Sequence, residues 1–173
     1  MNIYRWIALG LSILFAALLQ PTVLSTLNLR GATPDLVLTL VCAWAIAKGP
    51  LVGASAGFIA GLFIDLIPPT QPVLGLSSLA LVTIGFTVGV LGRTPNKSFF
   101  RPIMIITGAS ATFILLKAGL TIIFDGEIAY SQLGELLVTQ AIYVGILSVF
   151  VLPVVAWLDR RLGPNLRADE IRI

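Results

Sequence analysis

The sequence contains no histidine and only one cysteine, Cys42, among its 173 residues. It therefore lacks the commonest general base and the commonest metal ligand, and one cysteine can form neither an internal disulfide nor a thiolate metal cage. The GxxxxGK[ST] phosphate loop and the GxSxG motif of serine hydrolases are also missing. These absences predict a protein without catalytic residues, cofactor or metal site, although a proton relay built from carboxylates stays open.

Charged residues are scarce as well. They make up 11% of the chain, and hydrophobic residues make up 57%, against about 25% and about 45–50% in an ordinary globular domain. The mean hydropathy of +1.01 is more than a soluble core of this length could hide. The net charge of +3 comes from basic residues scattered between apolar runs, which does not indicate nucleic-acid binding. We predict a single all-α membrane domain over residues 1–173.

Turn and charged residues divide the chain into six apolar segments, and a membrane-spanning helix needs about 20 residues. The second and third segments are short, and Lys48-Gly49-Pro50 between them indicates a tight helical hairpin. The first follows Arg5 as a signal peptide would, but it lacks a small-residue cleavage site, so we predict a retained span. The segments run from about Trp6 to Leu24, Pro34 to Ala47, Leu51 to Leu66, Val73 to Gly92, Pro102 to Phe124 and Leu136 to Leu158.

The basic residues predict the orientation, because Lys and Arg are enriched in cytoplasmic loops. Six spans with both termini in the cytoplasm leave only Arg30 in an outer loop and Lys117 within a span, whereas five or seven spans fit less well. Residues 159–173 then form a short basic cytoplasmic tail, for which a topology anchor is the simplest interpretation. The nine basic residues predicted on the cytoplasmic side are Arg5, Lys48, Arg93, Lys97, Arg101, Arg160, Arg161, Arg167 and Arg172.

Five polar side chains from five spans are predicted to share the outer half of the membrane: Gln20, Asp35, Asp65, Lys117 and Gln140. Charges inside a membrane are costly and usually pair within the helix bundle. We therefore expect Lys117 to pair with Asp65 or Asp35, close to the two glutamines, as part of a pocket or a partner surface. The alternative is that Lys117 extends to the headgroups while both aspartates lie at the interface, where Asp35 would also suit a helix N-terminus.

Small residues recur at every fourth position in several spans, an arrangement that allows helices to pack closely in lipid. In the third span, the row ends at Asp65, and we expect it to hold the protein's own helices together. The row in the first span could equally dock a partner. The rows comprise Gly49, Gly53, Gly57 and Gly61 in the third span, Gly85 and Gly89 in the fourth, and Ala8, Ser12 and Ala16 in the first.

Three short segments together resemble the MreD family of bacterial rod shape-determining membrane proteins. They are Pro34-Asp35-Leu36, the stretch GASAGFIAGLFID from Gly53 to Asp65, and Leu74-Gly75-Leu76. The family pattern is PDL in an early span, G-x3-G-F-x2-G-L-x2-D, and LGL opening the next helix. The specific part of this resemblance is residues 34–76; outside it, hydropathy and length agree.

The resemblance implies a multi-pass protein of the bacterial inner membrane that binds the bitopic protein MreC. Through MreC it implies an indirect link to MreB, the RodA glycosyltransferase and a class B penicillin-binding protein. It also implies a six-helix fold similar to the substrate-binding subunits of ECF vitamin transporters. The family has no established catalytic residues to place on this sequence.

Three kinds of function remain open at this stage. The first is a scaffold of the cell-wall elongation machinery that helps to control peptidoglycan synthesis and cell shape. The second is the substrate-binding subunit of an ECF-type transporter, with the outer polar residues as its pocket. The third is an enzyme or proton-coupled carrier that uses Asp35, Asp65 and Lys117. The scarcity of aromatic residues in the outer half argues against a tight pocket for a planar vitamin.

Overall fold

The computed structural model describes residues 3–22, 35–66, 75–93, 100–125 and 133–161. These residues form six α-helices and contain no strand, which confirms the predicted all-α class for this part of the chain. Each helix overlaps one of the six apolar segments, and most of the basic tail lies outside the described residues. The helices are α1 (Ile3–Thr22), α2 (Leu36–Lys48), α3 (Pro50–Leu66), α4 (Leu76–Gly92), α5 (Phe100–Asp125) and α6 (Leu133–Arg161).

Helix α2 is the centre of the bundle. It contacts all five other helices, and every residue from Val37 to Ala45 is buried. A helix that is apolar on all sides has no solvent face and is stable only when other helices surround it. The indole of Trp44, which is 1% exposed, is the largest fully buried side chain of the described residues.

The chain turns between α2 and α3 within one residue. Gly49 has a φ of +96°, a backbone conformation that residues with a Cβ rarely adopt, and its N–H donates to the Ala45 carbonyl at 2.7 Å. Pro50 follows as the first residue of α3, where its fixed φ suits a helix start and its missing N–H costs nothing. This turn produces the hairpin that the sequence predicted at Lys48-Gly49-Pro50.

Judged by length and hydropathy alone, two of the described helices contain stretches that could cross a membrane. They are Phe100–Leu120 in α5 and Leu137–Arg161 in α6. Helices α2, α3 and α4 are apolar but have only 13, 17 and 17 residues. At 1.5 Å per residue they are roughly 20 to 26 Å long, less than the hydrocarbon core of about 30 Å. The three short helices all pack against one another, and α5 and α6 are the longest helices of the bundle.

Contacts between helix ends define the two ends of the bundle. At one end, which we call the Asp35 end, Gln20 near the C-terminus of α1 meets the first turn of α2. At the other, which we call the Lys48 end, the Lys48 ammonium forms an ion pair with Asp159 near the C-terminus of α6. Arg101 in the first turn of α5 also donates to the Leu91 carbonyl of α4 at this end, at 3.5 Å. The helices therefore run alternately in opposite directions.

Large apolar side chains remain exposed around the outside of the described bundle. Such exposure is expected of a surface that meets lipid or another membrane helix, because neither contact requires polar side chains. Examples with more than half of the side chain exposed are Leu11, Phe15 and Leu18 in α1, Leu51 and Phe58 in α3, Met104 and Leu115 in α5, and Ile142, Phe150 and Trp157 in α6.

Candidate functional site

Asp35 forms the N-terminal cap of α2 at the Asp35 end. Its Oδ1 atom accepts a hydrogen bond from the Leu38 N–H at 2.9 Å, and its main-chain oxygen accepts from the Thr39 hydroxyl at 2.7 Å. A carboxylate at this position satisfies a free N–H of the first helical turn and lies at the positive end of the helix dipole. Asp35 is 7% exposed, so the cap is part of the packed interior.

Gln20 joins the end of α1 to this cap. Its Oε1 atom accepts a hydrogen bond from the Val37 N–H at 3.2 Å, and its amide group lies beside the Asp35 carboxylate. Gln20 thus satisfies a second free N–H of the first turn of α2. One glutamine and one aspartate, 15 positions apart in the sequence, together close the N-terminus of the central helix.

Lys117 of α5 contributes positive charge to the same place. It is half-buried, and its ammonium group interacts electrostatically with the Asp35 carboxylate. We call Gln20, Asp35 and Lys117 the polar cluster. Gln140 of α6 is half-buried and makes no hydrogen bond to another described side chain. The structure therefore brings three of the five predicted outer polar residues to one place.

Asp65, the third of the three charged candidates of the sequence, makes a different contact. Its Oδ2 atom accepts a hydrogen bond from the Gly75 N–H at 2.9 Å, which ties the last turn of α3 to the start of α4. Gly75 has a φ of +96° and precedes α4 as its cap residue. No atom lies within 4 Å of the position a Cβ would take there, so the requirement for glycine comes from the backbone conformation and not from lack of space.

The glycine rows of the third and fourth spans face each other. A Cβ added at Gly53 would collide with the Gly85 carbonyl, one at Gly57 would lie 2.6 Å from the Leu81 carbonyl carbon, and one at Gly61 would collide with Ser78. At the Lys48 end, a Cβ on Gly89 would lie 2.5 Å from the Cα atom of Pro50. Helices α3 and α4 thus touch backbone to backbone along their length, and we call this contact the glycine interface.

The small residues of the first span also face inward. Ser12 accepts a hydrogen bond from the Trp44 indole N–H at 3.2 Å and donates to the Leu9 carbonyl at 2.8 Å. Ala16 is 1% exposed. The Ala8 side chain lies outside the described part of the structure. Ser12 therefore contacts the central helix and Ala16 is buried in the bundle, whereas the large apolar residues of α1 are exposed.

Sequence reasoning missed the Lys48–Asp159 ion pair at the Lys48 end. Both side chains are largely buried, with exposed fractions of 7% and 16%. Lys48 was predicted as part of the hairpin turn and as one of the cytoplasmic basic residues, but not as a partner of Asp159. The signal was present, because Lys48 directly follows the second predicted span and Asp159 directly follows the sixth, so the predicted topology puts both at the same depth.

The described contacts of the candidate residues cap helices and join them to one another. No group of three or more His, Cys, Asp or Glu side chains that could hold a metal occurs in the described residues. Cys42 is buried in the centre of α2, which keeps its thiol away from any substrate. Asp35 and Asp65 each accept a backbone N–H at a helix N-terminus, a structural role.

A family model described as rod shape-determining protein MreD matches residues 1–161. This chain belongs to the MreD family. The match includes all six helices and ends at Arg161, the last residue of α6. Neither a curated protein nor a solved structure matches the chain significantly, so the likeness to ECF substrate-binding subunits stays a prediction.

Membership of the MreD family establishes three general properties. The protein is a membrane protein, its role lies in rod-shape determination, and its family is a shape-determining one that is not known to contain enzymes. The chain accordingly has apolar helices and exposed apolar surfaces.

The structure also gives a physical reason for the motif that resembles the MreD family. The glycines between Gly53 and Gly61 form the α3 side of the glycine interface. Asp65 at the end of the same row accepts the Gly75 N–H of the LGL segment. Asp35 of the PDL segment caps α2, while Pro34 lies outside the described residues. In this MreD-family chain, the motif residues hold α2, α3 and α4 together.

Proposed function

We propose that this protein is a non-enzymatic scaffold of the cell-wall elongation machinery that binds MreC in the bacterial inner membrane. The strongest support for this proposal is the structural role of the polar and small residues in the described helices. They cap helices or join them to one another, as in the polar cluster and the glycine interface. The outer faces of the helices are left apolar, which suits a protein that presents helices to partners within the bilayer.

The scaffold is preferred to a transporter subunit for a specific reason. Small residues in the first span would be expected to dock the transmembrane partner of such a subunit, but Ser12 contacts Trp44 of the central helix and Ala16 is buried inside the bundle. A scaffold that holds MreC next to the RodA glycosyltransferase and its class B penicillin-binding protein would help to control peptidoglycan synthesis, with MreB as an indirect partner.

The first test of the proposal is co-purification. We expect tagged protein, extracted gently from its native host, to bring down MreC in near-stoichiometric amount, because a scaffold must hold its partner through extraction. Immunoblotting or mass spectrometry of the eluate measures this result. An unrelated multi-pass protein with the same tag is the control. Absence of MreC from the eluate, with the tagged protein intact and monodisperse, contradicts the scaffold function.

The same assay tests whether the polar cluster takes part in partner binding. Lys117→Leu removes the positive charge beside Asp35 and leaves a shorter, apolar side chain. Reduced MreC recovery from a variant that elutes at the native position in size-exclusion chromatography would place the cluster in the partner surface. Unchanged recovery would leave the polar cluster with its capping role alone.

We further propose six membrane spans, with the Lys48 end and both termini in the cytoplasm. Because the native Cys42 is buried, single cysteines introduced at the exposed positions Gly134 and Arg161 can report the orientation. We expect a membrane-impermeant maleimide to label Gly134→Cys in intact spheroplasts, and Arg161→Cys only after permeabilisation. The native chain is the control for background labelling. The reverse pattern would overturn the proposed orientation.

A further inference from the structure

The Lys48 end carries an excess of positive charge. Its described ionisable side chains are Lys48, Arg93, Arg101, Arg160 and Arg161, with Asp159 as the one carboxylate among them. Five basic residues against one acidic residue leave a net charge of +4 in this part of the structure. Because Asp159 is already paired with Lys48, it does not neutralise the arginines.

Two arginines lie beside this ion pair, one next to each of its members. The Arg93 guanidinium lies 3.6 Å from the position a Cβ would take on Gly49, the residue that follows Lys48. Arg160 follows Asp159 in α6, and its Nε–H donates to the Ala156 carbonyl of its own helix at 3.2 Å. Both arginine side chains are exposed, and neither forms an ion pair with a described acidic residue. We call Arg93 and Arg160 the flanking arginines.

Large apolar side chains are exposed beside these charges. Leu51, two residues after Gly49, is 78% exposed, and Trp157, one turn before Arg161, is 53% exposed. The Arg161 guanidinium lies over the Trp157 ring, 4.6 Å from its centroid. Exposed tryptophan next to arginine at the end of an apolar helix is typical of the level of the lipid headgroups.

We propose that the flanking arginines bind headgroup phosphates of anionic phospholipids, whose acyl chains lie against the neighbouring apolar residues. A guanidinium group donates two parallel hydrogen bonds to a phosphate and is weakly hydrated, so it suits this ligand. An acidic protein surface would also meet the charge requirement, but it would leave Leu51 and Trp157 without apolar contact. The inference concerns lipid and does not depend on the binding of MreC.

Native mass spectrometry of the purified full chain in neutral detergent tests this inference. We expect dioleoylphosphatidylglycerol to remain bound at concentrations where dioleoylphosphatidylcholine does not. The double variant Arg93→Gln/Arg160→Gln should bind phosphatidylglycerol about 25-fold more weakly, at about fivefold for each arginine near a membrane surface. The matched variant Arg93→Lys/Arg160→Lys keeps both charges but loses the paired guanidinium hydrogen bonds, so it should bind more tightly than the glutamine variant and more weakly than the native chain.

Further arms distinguish the lipid from other ligands and from a folding defect. Raising the salt concentration from about 0.1 M to about 0.5 M should weaken phosphatidylglycerol binding by the native chain, since exposed charges are then screened. This salt titration uses the native chain alone, so its result stays interpretable even if a substitution impairs folding. Equal retention of the two lipids by the native chain would overturn the proposal. Full displacement of phosphatidylglycerol by inorganic phosphate at the same concentration would also overturn the proposal, because the site would then bind free phosphate rather than a lipid.

Discussion

Gly57→Leu should leave little correctly folded protein. A Cβ at this position would lie 2.6 Å from the carbonyl carbon of Leu81 and 2.9 Å from the Val82 nitrogen. These are backbone atoms of α4, so no side-chain rotation can make room, and α3 and α4 must separate. Overpacking a core by a few methylene groups costs about 1–3 kcal/mol even where side chains can shift. We therefore expect a loss of at least about 3 kcal/mol in the free energy of unfolding.

Gly108→Leu in α5 is the matched control for this substitution. Gly108 is an exposed helical glycine with no other atom within 4 Å of its Cβ position, so the same change meets open space and improves helix propensity. Expression, monodispersity in size-exclusion chromatography and thermal unfolding in detergent should be native for Gly108→Leu and strongly impaired for Gly57→Leu. Equal behaviour of the two variants would show that α3 and α4 do not touch at the glycine interface.

Lys48→Met should destabilise the protein by about 3 kcal/mol, the lower end of the range for breaking a buried ion pair. It removes the cation from Asp159, whose side chain is 16% exposed, and so leaves a carboxylate largely out of water. Chemical unfolding in mixed micelles, followed by circular dichroism, measures the change in the free energy of unfolding.

A double variant that also changes Asp159 tests whether the effect comes from the ion pair itself. Lys48→Met/Asp159→Leu removes both charges and should recover much of the lost stability, because no uncompensated carboxylate remains. The two single changes should therefore be strongly non-additive, with a coupling energy above about 1 kcal/mol. Additive effects would mean that Lys48 and Asp159 stabilise the bundle independently, contrary to their contact in the structure.

Both predictions concern contacts that surround the central helix α2. The glycine interface lets α3 and α4 approach each other closely, and both helices pack against α2. The Lys48–Asp159 ion pair fastens the C-terminal end of α2 to α6, and the polar cluster closes its N-terminal end against α1 and α5. Polar and small residues thus hold the core together. The apolar outer faces of the helices are left available to lipid and to partners.

Local sequence signals predicted the helices well, because a long apolar run in a chain with so little charge is a direct signal of a membrane helix. The turn at Gly49-Pro50 and the row from Gly53 to Asp65 were also visible, since a helix places every fourth residue on one face. The predicted ends differ from the observed ones by a few residues. For example, α5 begins at Phe100 rather than Pro102, and α6 continues to Arg161.

The choice of contact partners could not be predicted in the same way. Lys117 had two candidate partners, Asp35 and Asp65, at similar expected depth. The structure shows its electrostatic interaction with Asp35 and a hydrogen bond of Asp65 to the Gly75 backbone. The first-span row looked equally suited to a partner protein, until its contact with Trp44 showed that Ser12 faces inward. Depth follows from the position of a residue in its span, but its neighbours depend on the rotation and order of the helices.

The sequence by itself determined that this chain is an all-α membrane protein of the MreD family without the usual catalytic residues, because composition, helical spacing and short motifs are local properties. Only the tertiary structure decided that α2 is the central helix, that Gly53 and Gly57 face the α4 backbone, and that Lys48 pairs with Asp159. Six helices of similar apolar composition can be packed in many arrangements. Backbone contact at the glycines, together with a few buried polar pairs, selects one of them.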